Sequence, residues 1–116
     1  MEKTIEIDGK QVAFKSSGAV PKRYKMQFQR DFFNDLFGMG VTNLDFDKMP
    51  EEQKLEAIRK INFDMFYDIA WTLAKTADSK INDPLTWLDS FDTFPIIDIL
   101  PQIQDLLTAS ISTKKN

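Results

Sequence analysis

Asp64 and Asp68 have the spacing that most resembles a working site. On a helix, residues four apart share a face, which is how two carboxylates present themselves to a divalent cation or divide acid and base work. No further ligand sits at helpful spacing, so the pair reads as a solvated stripe or as partners for Lys and Arg. A second constellation is Lys22, Arg23, Lys25 and Arg30, at the start of an aromatic-rich stretch. Basic and aromatic residues together bind single-stranded nucleic acid. Asp31 and Asp35 follow within a turn, however, and the phenylalanines are needed for a core, so nucleic acid is disfavoured. Gly38-Met39-Gly40 follows a helical stretch rather than a strand and does not continue into a phosphate-binding fingerprint. The chain has no His and no Cys, which excludes imidazole and thiol chemistry and leaves carboxylates as the metal ligands on offer. Nothing marks a Ser/Lys or Thr/Lys pair. Neither an enzyme nor a cofactor is expected.

The elements that carry these residues are legible from periodicity. Pro21 to Phe37 places Tyr24, Phe28, Phe32 and Leu36 at every fourth position, one continuous ridge on a single helix. Met26, Phe33 and Phe37 flank the ridge, and Arg23, Gln27, Arg30 and Asn34 fall on the remaining polar strip. Pro21 suits the first turn and Gly38 the stop. Upstream, Thr4 to Lys15 alternates around Asp8-Gly9, a strong hairpin signal, and pairs Ile7 with Lys10, Ile5 with Val12 and Lys3 with Phe14. Ile5, Ile7, Val12 and Phe14 then share one face, most simply laid on the aromatic helix as a lid. Its other use would be as an edge for strand addition.

Downstream, Gly38 to Met49 is a loop that Leu44, Phe46 and Met49 could pin to the core. Pro50 opens a second helix with early acids, and Leu55, Ile58, Ile61, Met65, Ile69 and Leu73 run down one face of it. From Phe63 onward Phe66, Tyr67, Ala70 and Trp71 make that helix apolar around most of its girth, so it is expected at the centre. Asp83-Pro84 starts a short third helix containing Trp87, which reads as a core anchor, although Trp is also a frequent interface hot spot. Thr93 is a candidate cap for a last helix, which Pro101 is expected to kink or break. The expected fold is therefore mainly α with a small N-terminal β-hairpin (α+β), a compact bundle of about four helices. Residues 1–111 are expected to form one domain with the hairpin over about 3–15, followed by a flexible tail at 112–116.

Composition bounds the reading. With 116 residues, 42% hydrophobic and 28% charged, the chain is long enough for one domain with a modest core. A net charge of -3 argues against general affinity for phosphates. The most apolar window, Phe63 to Ala74, is too short to span a bilayer and contains two acids. No secretory signal is visible, and the chain reads as soluble. Ten phenylalanines exceed what a body of this size easily hides, which points to a packing and interaction module.

Three landmarks taken together resemble a known family: the Ile5-Glu-Ile-Asp-Gly-Lys10 hairpin, the helix from Val20 to Leu36, and Trp87-Leu-Asp-Ser-Phe91 with Ile99-Leu-Pro-Gln-Ile-Gln-Asp-Leu106. The chain resembles the tail assembly chaperones of long-tailed, siphovirus-type phages and prophages of Gram-positive bacteria. The likeness covers essentially the whole chain, with Tyr24, Phe28, Arg30, Asp31, Leu36, Trp87, Leu88, Phe91 and Pro101 at the family's characteristic places. Gln29 departs from the pattern, since the family often carries Gly there. The resemblance implies a non-enzymatic chaperone made in the host bacterial cytoplasm and absent from the mature virion. Such a protein binds and solubilises the tape-measure protein, recruits major tail (tube) protein subunits, and self-associates along its client. It also implies a longer second product by ribosomal slippage, for which the codons of Lys114-Lys115 would be the expected A-rich stretch. Residues expected to meet a partner are Tyr24, Met26, Phe33, Phe37, Tyr67, Trp71 and Trp87. The alternatives are a small phage nucleic-acid-binding regulator that uses the basic cluster, and a structural tail component.

Overall fold

The hairpin forms in the expected register. In the computed structural model, which describes residues 1–39 and 48–111, β1 (Glu2–Ile7) pairs antiparallel with β2 (Lys10–Lys15), Ile7 opposite Lys10 and Ile5 opposite Val12. Asp8 and Gly9 both take positive φ, 54° and 75°, which matches the right-handed twist of the strands they join. Ile5, Ile7, Val12 and Phe14 are buried, so the hairpin is a lid. It closes on different ground from that expected. Its floor is the central helix α4 (Phe63–Ala77), and β1 also meets α6 (Ile96–Ile111), rather than the aromatic helix. The turn is fastened there: the Asp8 carboxylate accepts from the Asp92 N–H at 2.9 Å, and the Lys10 ammonium donates to the Ser90 carbonyl.

Two expected helices are each broken in two, so about four become six among the described residues. The first divides into α1 (Val20–Phe28) and α2 (Phe32–Met39). Gln29 takes φ 62°, ψ 27°, the left-handed conformation that ends a helix, and its N–H bonds back to the Lys25 carbonyl. Asp31 restarts the chain by accepting the Asn34 N–H at 2.8 Å. The ridge survives as a cluster rather than as one helix face: Tyr24 lies 5.0 Å from Phe28 and 5.6 Å from Phe32, centroid to centroid. Gly38 falls inside α2 and not beyond its end.

The second expected helix divides into α3 (Glu51–Arg59) and α4. Between them Asn62 is extended and accepts the Met65 N–H at 3.1 Å, a cap the periodic reading passed over. This break frees α3 from the core. None of its residues is buried, and Leu55 is exposed where the expected apolar face of one continuous helix would have hidden it. As expected, α4 is central. Phe66 and the run Ile69 to Ala74 are buried, enclosed by β2, α1, α2 and α5 (Pro84–Asp89). Thr72 is buried within that run, and its hydroxyl donates to the Asp68 carbonyl.

Asp83 caps α5 as expected, accepting from the Thr86 N–H, and hydrogen bonding to Thr86, from its side chain first and its N–H second, holds the Asp83 carboxyl below the usual range. Trp87 anchors this end of the core, against Phe14, Phe91 and Phe94. α6 starts from the Pro95 carbonyl rather than from Thr93, and it runs through Pro101 unbroken. The carbonyl that Pro101 leaves without a donor belongs to Ile97, an exposed residue, where water can replace the missing bond. Met49 packs against the core. Leu44, Phe46 and the tail with Lys114-Lys115 lie outside the described residues.

Candidate partner-binding surface

Charge at the α1–α2 break is used inside the fold. The Arg30 Nε donates to Asp35 Oδ2 at 2.7 Å, while its Nη2 reaches the Tyr24 hydroxyl at 3.0 Å and Asp68 Oδ2 at 2.5 Å. Tyr24 Oη donates to the same Asp35 oxygen at 2.6 Å. The guanidinium also sits 5.6 Å from the ring centroids of both Tyr24 and Phe28. Asp35 is buried, so its carboxylate is tolerable only because two donors converge on it.

The titrations follow from this geometry. Burial, reinforced by the bond to Asp35, pushes the Tyr24 phenol well above its ordinary value. The carboxylates, Asp35 first, hold the Arg30 guanidinium in its charged form. Burial raises Asp68, with Arg30 opposing and losing. Asp68 is thus a partner for Arg, and Asp64 contributes only like-charge repulsion to it. No group of three acidic side chains that could hold a metal occurs among the described residues.

The expected partner-binding residues separate into three sets. Tyr24, Trp71 and Trp87 are buried, which corrects their assignment to a surface. Tyr24 gives its hydroxyl to Asp35, Trp71 gives its Nε1–H to the Asn82 carbonyl at 2.8 Å, and Trp87 is ringed by phenylalanines. Phe33 and Tyr67 are half-buried and lean on the core. Met26 and Phe37 stand out, 68% and 57% exposed. Phe33 and Phe37 are four apart on α2 and so share one of its faces.

Periodicity missed four more exposed apolar side chains: Leu55, Phe63, Leu85 and Ile97. Leu55 sat in an apolar pattern assigned to one helix face, and Phe63 opened the stretch read as apolar around most of its girth. The break at Asn62 decides otherwise for Leu55. Among the described residues each of the six helices thus leaves one large apolar side chain in solvent.

Among the described residues, two of the clefts that open between helices hold about 450 Å³ each. One lies between α1 and α4 and is lined by Ala19, Lys22, Arg23, Met26, Gln27, Trp71 and Lys75. The other, between α3 and α6, is lined by Glu51, Lys54, Ile58, Ile97, Asp98, Pro101 and Gln102. The first carries only cations among its charged residues, whereas the second mixes both signs. Of the expected basic cluster, Lys22 and Arg23 line the first cleft and Arg30 is committed to the acids of the break.

Comparison of the chain with protein-family models, with curated proteins and with solved structures finds no match. No helix among the described residues is long and apolar enough to cross a membrane.

Proposed function

We propose that this protein is a non-enzymatic phage tail assembly chaperone that holds the apolar tape-measure protein in solution and recruits tube subunits as the tail is built. The observation that carries the reading is the exposed apolar side chain on every helix, from Met26 to Ile97. Large apolar groups held on regular helices, and not tucked away by a core with room for Trp71 and Trp87, are what a client with its own apolar helical surface would meet. The break at Gln29 adds support. The resembled family often carries Gly there, and the left-handed backbone at that place is the reason Gly would suit it. In this reading Met26 and Phe37 contact the client first, with Phe33 and Tyr67 as half-sunk neighbours. Self-association along the client, synthesis in the host cytoplasm and absence from the finished virion belong to the same proposal.

Co-expression with a fragment of the tape-measure protein tests it. Soluble yield of the fragment is expected to rise several-fold with this protein and to return to baseline with the Met26→Asp, Phe37→Asp double variant. Both positions are exposed, so the variant keeps its fold. An unchanged yield with the wild-type protein rejects the reading, and recovery of the protein from purified virions would make it a tail component instead.

A further inference from the structure

We propose that the α1–α4 cleft is a seat for an acidic amphipathic helix of a partner protein, one that presents a single Leu or Phe anchor with a carboxylate one turn away. The walls have helical spacing on both sides. Ala19, Lys22, Arg23 and Met26 follow the i, i+3, i+4, i+7 stripe of α1, and Trp71 and Lys75 are four apart on α4. A groove between two helices takes a third by packing ridges into it. A volume of about 450 Å³ holds an anchor side chain rather than a whole helix.

Charge selects the sign of the occupant. Lys22, Arg23 and Lys75 line the cleft and no carboxylate does, in a chain whose formal charge is -3. The Nε–H of Arg23 is buried and has no acceptor among the described residues. An arginine that lines a cleft with none of its charge paired to a carboxylate favours a ligand that brings one. Lys75 gives two donors to the Ser79 and Ile81 carbonyls, which are neutral, so its charge remains and its third N–H is available. Exposed Met26 and the largely buried Trp71 give the apolar floor against which an anchor desolvates.

This inference rests on the chaperone reading only for who the partner is; the chemistry of the seat is independent of it. The test is fluorescence anisotropy with a labelled amphipathic helical peptide of about 18 residues carrying Leu, Phe and Glu. Saturable, salt-sensitive binding is expected. It should weaken about tenfold or more with Lys22→Glu and with Met26→Glu, both exposed positions, and by a similar factor when the peptide's Glu residues become Gln. Arg59→Glu, an equal charge change on α3, should leave affinity within about twofold. Absence of binding overturns the proposal. So does equal binding of the Gln peptide, equal loss with Arg59→Glu, or a single-stranded oligonucleotide that binds with the same dependence on Lys22. Client solubilisation that persists while the peptide fails sinks the seat alone. Peptide binding that persists while the client stays insoluble sinks only the choice of client.

Discussion

Arg30 donates to three partners inside the fold, whereas Arg23, one helix break earlier, lines an open cleft with its Nε–H buried and unpaired. Both belong to the same basic cluster in sequence and both were assigned to one polar strip. The break at Gln29 separates their fates. It turns Arg30 toward Asp35 and Asp68 and leaves Arg23 on α1 beside Met26. A charge with acids on two elements holds those elements together, while a charge with none is free to select a partner. Function in this chain is therefore to be sought around Arg23, and stability around Arg30.

The largest effect expected from that contrast is on folding. Arg30→Met leaves the buried Asp35 carboxylate with only the Tyr24 hydroxyl, and breaking such a pair costs about 3 kcal/mol, the low end of the range because Arg30 is itself partly exposed. Arg23→Met keeps an apolar stem and removes an unpaired donor, so stability should move by less than about 1 kcal/mol. Urea midpoints of the two variants measure the difference directly. Equal losses would mean that Arg23 also serves the fold, and the contrast would be gone.

Tyr24 sharpens the same comparison at alkaline pH. Its phenol is raised above the ordinary value of 10.0 by burial and by Asp35. A raised folded-state pKa means that the stabilisation is fully present below pH 10 and is lost as pH climbs above it. Thermal melts of the wild type should therefore fall progressively above that point. Tyr24→Phe should lower stability near neutrality by about 1.5 kcal/mol, the scale of a hydrogen bond to a charged group, and flatten the alkaline fall. A parallel fall in both proteins would place the alkaline sensitivity elsewhere.

How far the sequence reaches is visible at particular residues. The hairpin was legible to the pair because alternation and Asp8-Gly9 are local signals that agree with each other. The central place of α4 was legible from its girth of apolar residues. The breaks were not, because Tyr24-Phe28-Phe32-Leu36 and Ile58-Ile61-Met65 keep helical spacing across them. Periodicity reports that a stretch faces a core and says little about whether the backbone turns within it. Asn62 is a cap whose flanks look helical, and Gln29 is a non-Gly residue in a conformation usually announced by Gly. The errors in the surface follow from the same cause. Rotating α3 at Asn62 exposes Leu55, whereas Tyr24, Trp71 and Trp87, large amphipathic side chains that look suited to an interface, sit in the core. The Tyr24 hydroxyl and the Trp71 N–H find partners there. Lys75 escaped notice because the cations it joins in the cleft, Lys22 and Arg23, come from α1, more than forty positions away.

The smallest effect falls on the hinge between the two arginines. Gln29 holds φ 62°, where a side chain costs roughly 1–2 kcal/mol relative to Gly. Gly in its place removes that cost, but it also gives the unfolded chain more freedom, which takes back roughly 0.4–1 kcal/mol. The Gln29 side chain donates to the Met26 carbonyl at 3.1 Å, an exposed bond of little net worth. Gln29→Gly should accordingly raise the urea midpoint by a few tenths to about 1 kcal/mol in stability with an unchanged slope. Gln29→Val, β-branched and poorly suited to positive φ, should lower it. If Gly instead destabilises, the bond to Met26 outweighs the backbone strain. The turn that parts Arg23 from Arg30 would then be held by its side chain rather than merely tolerated by it.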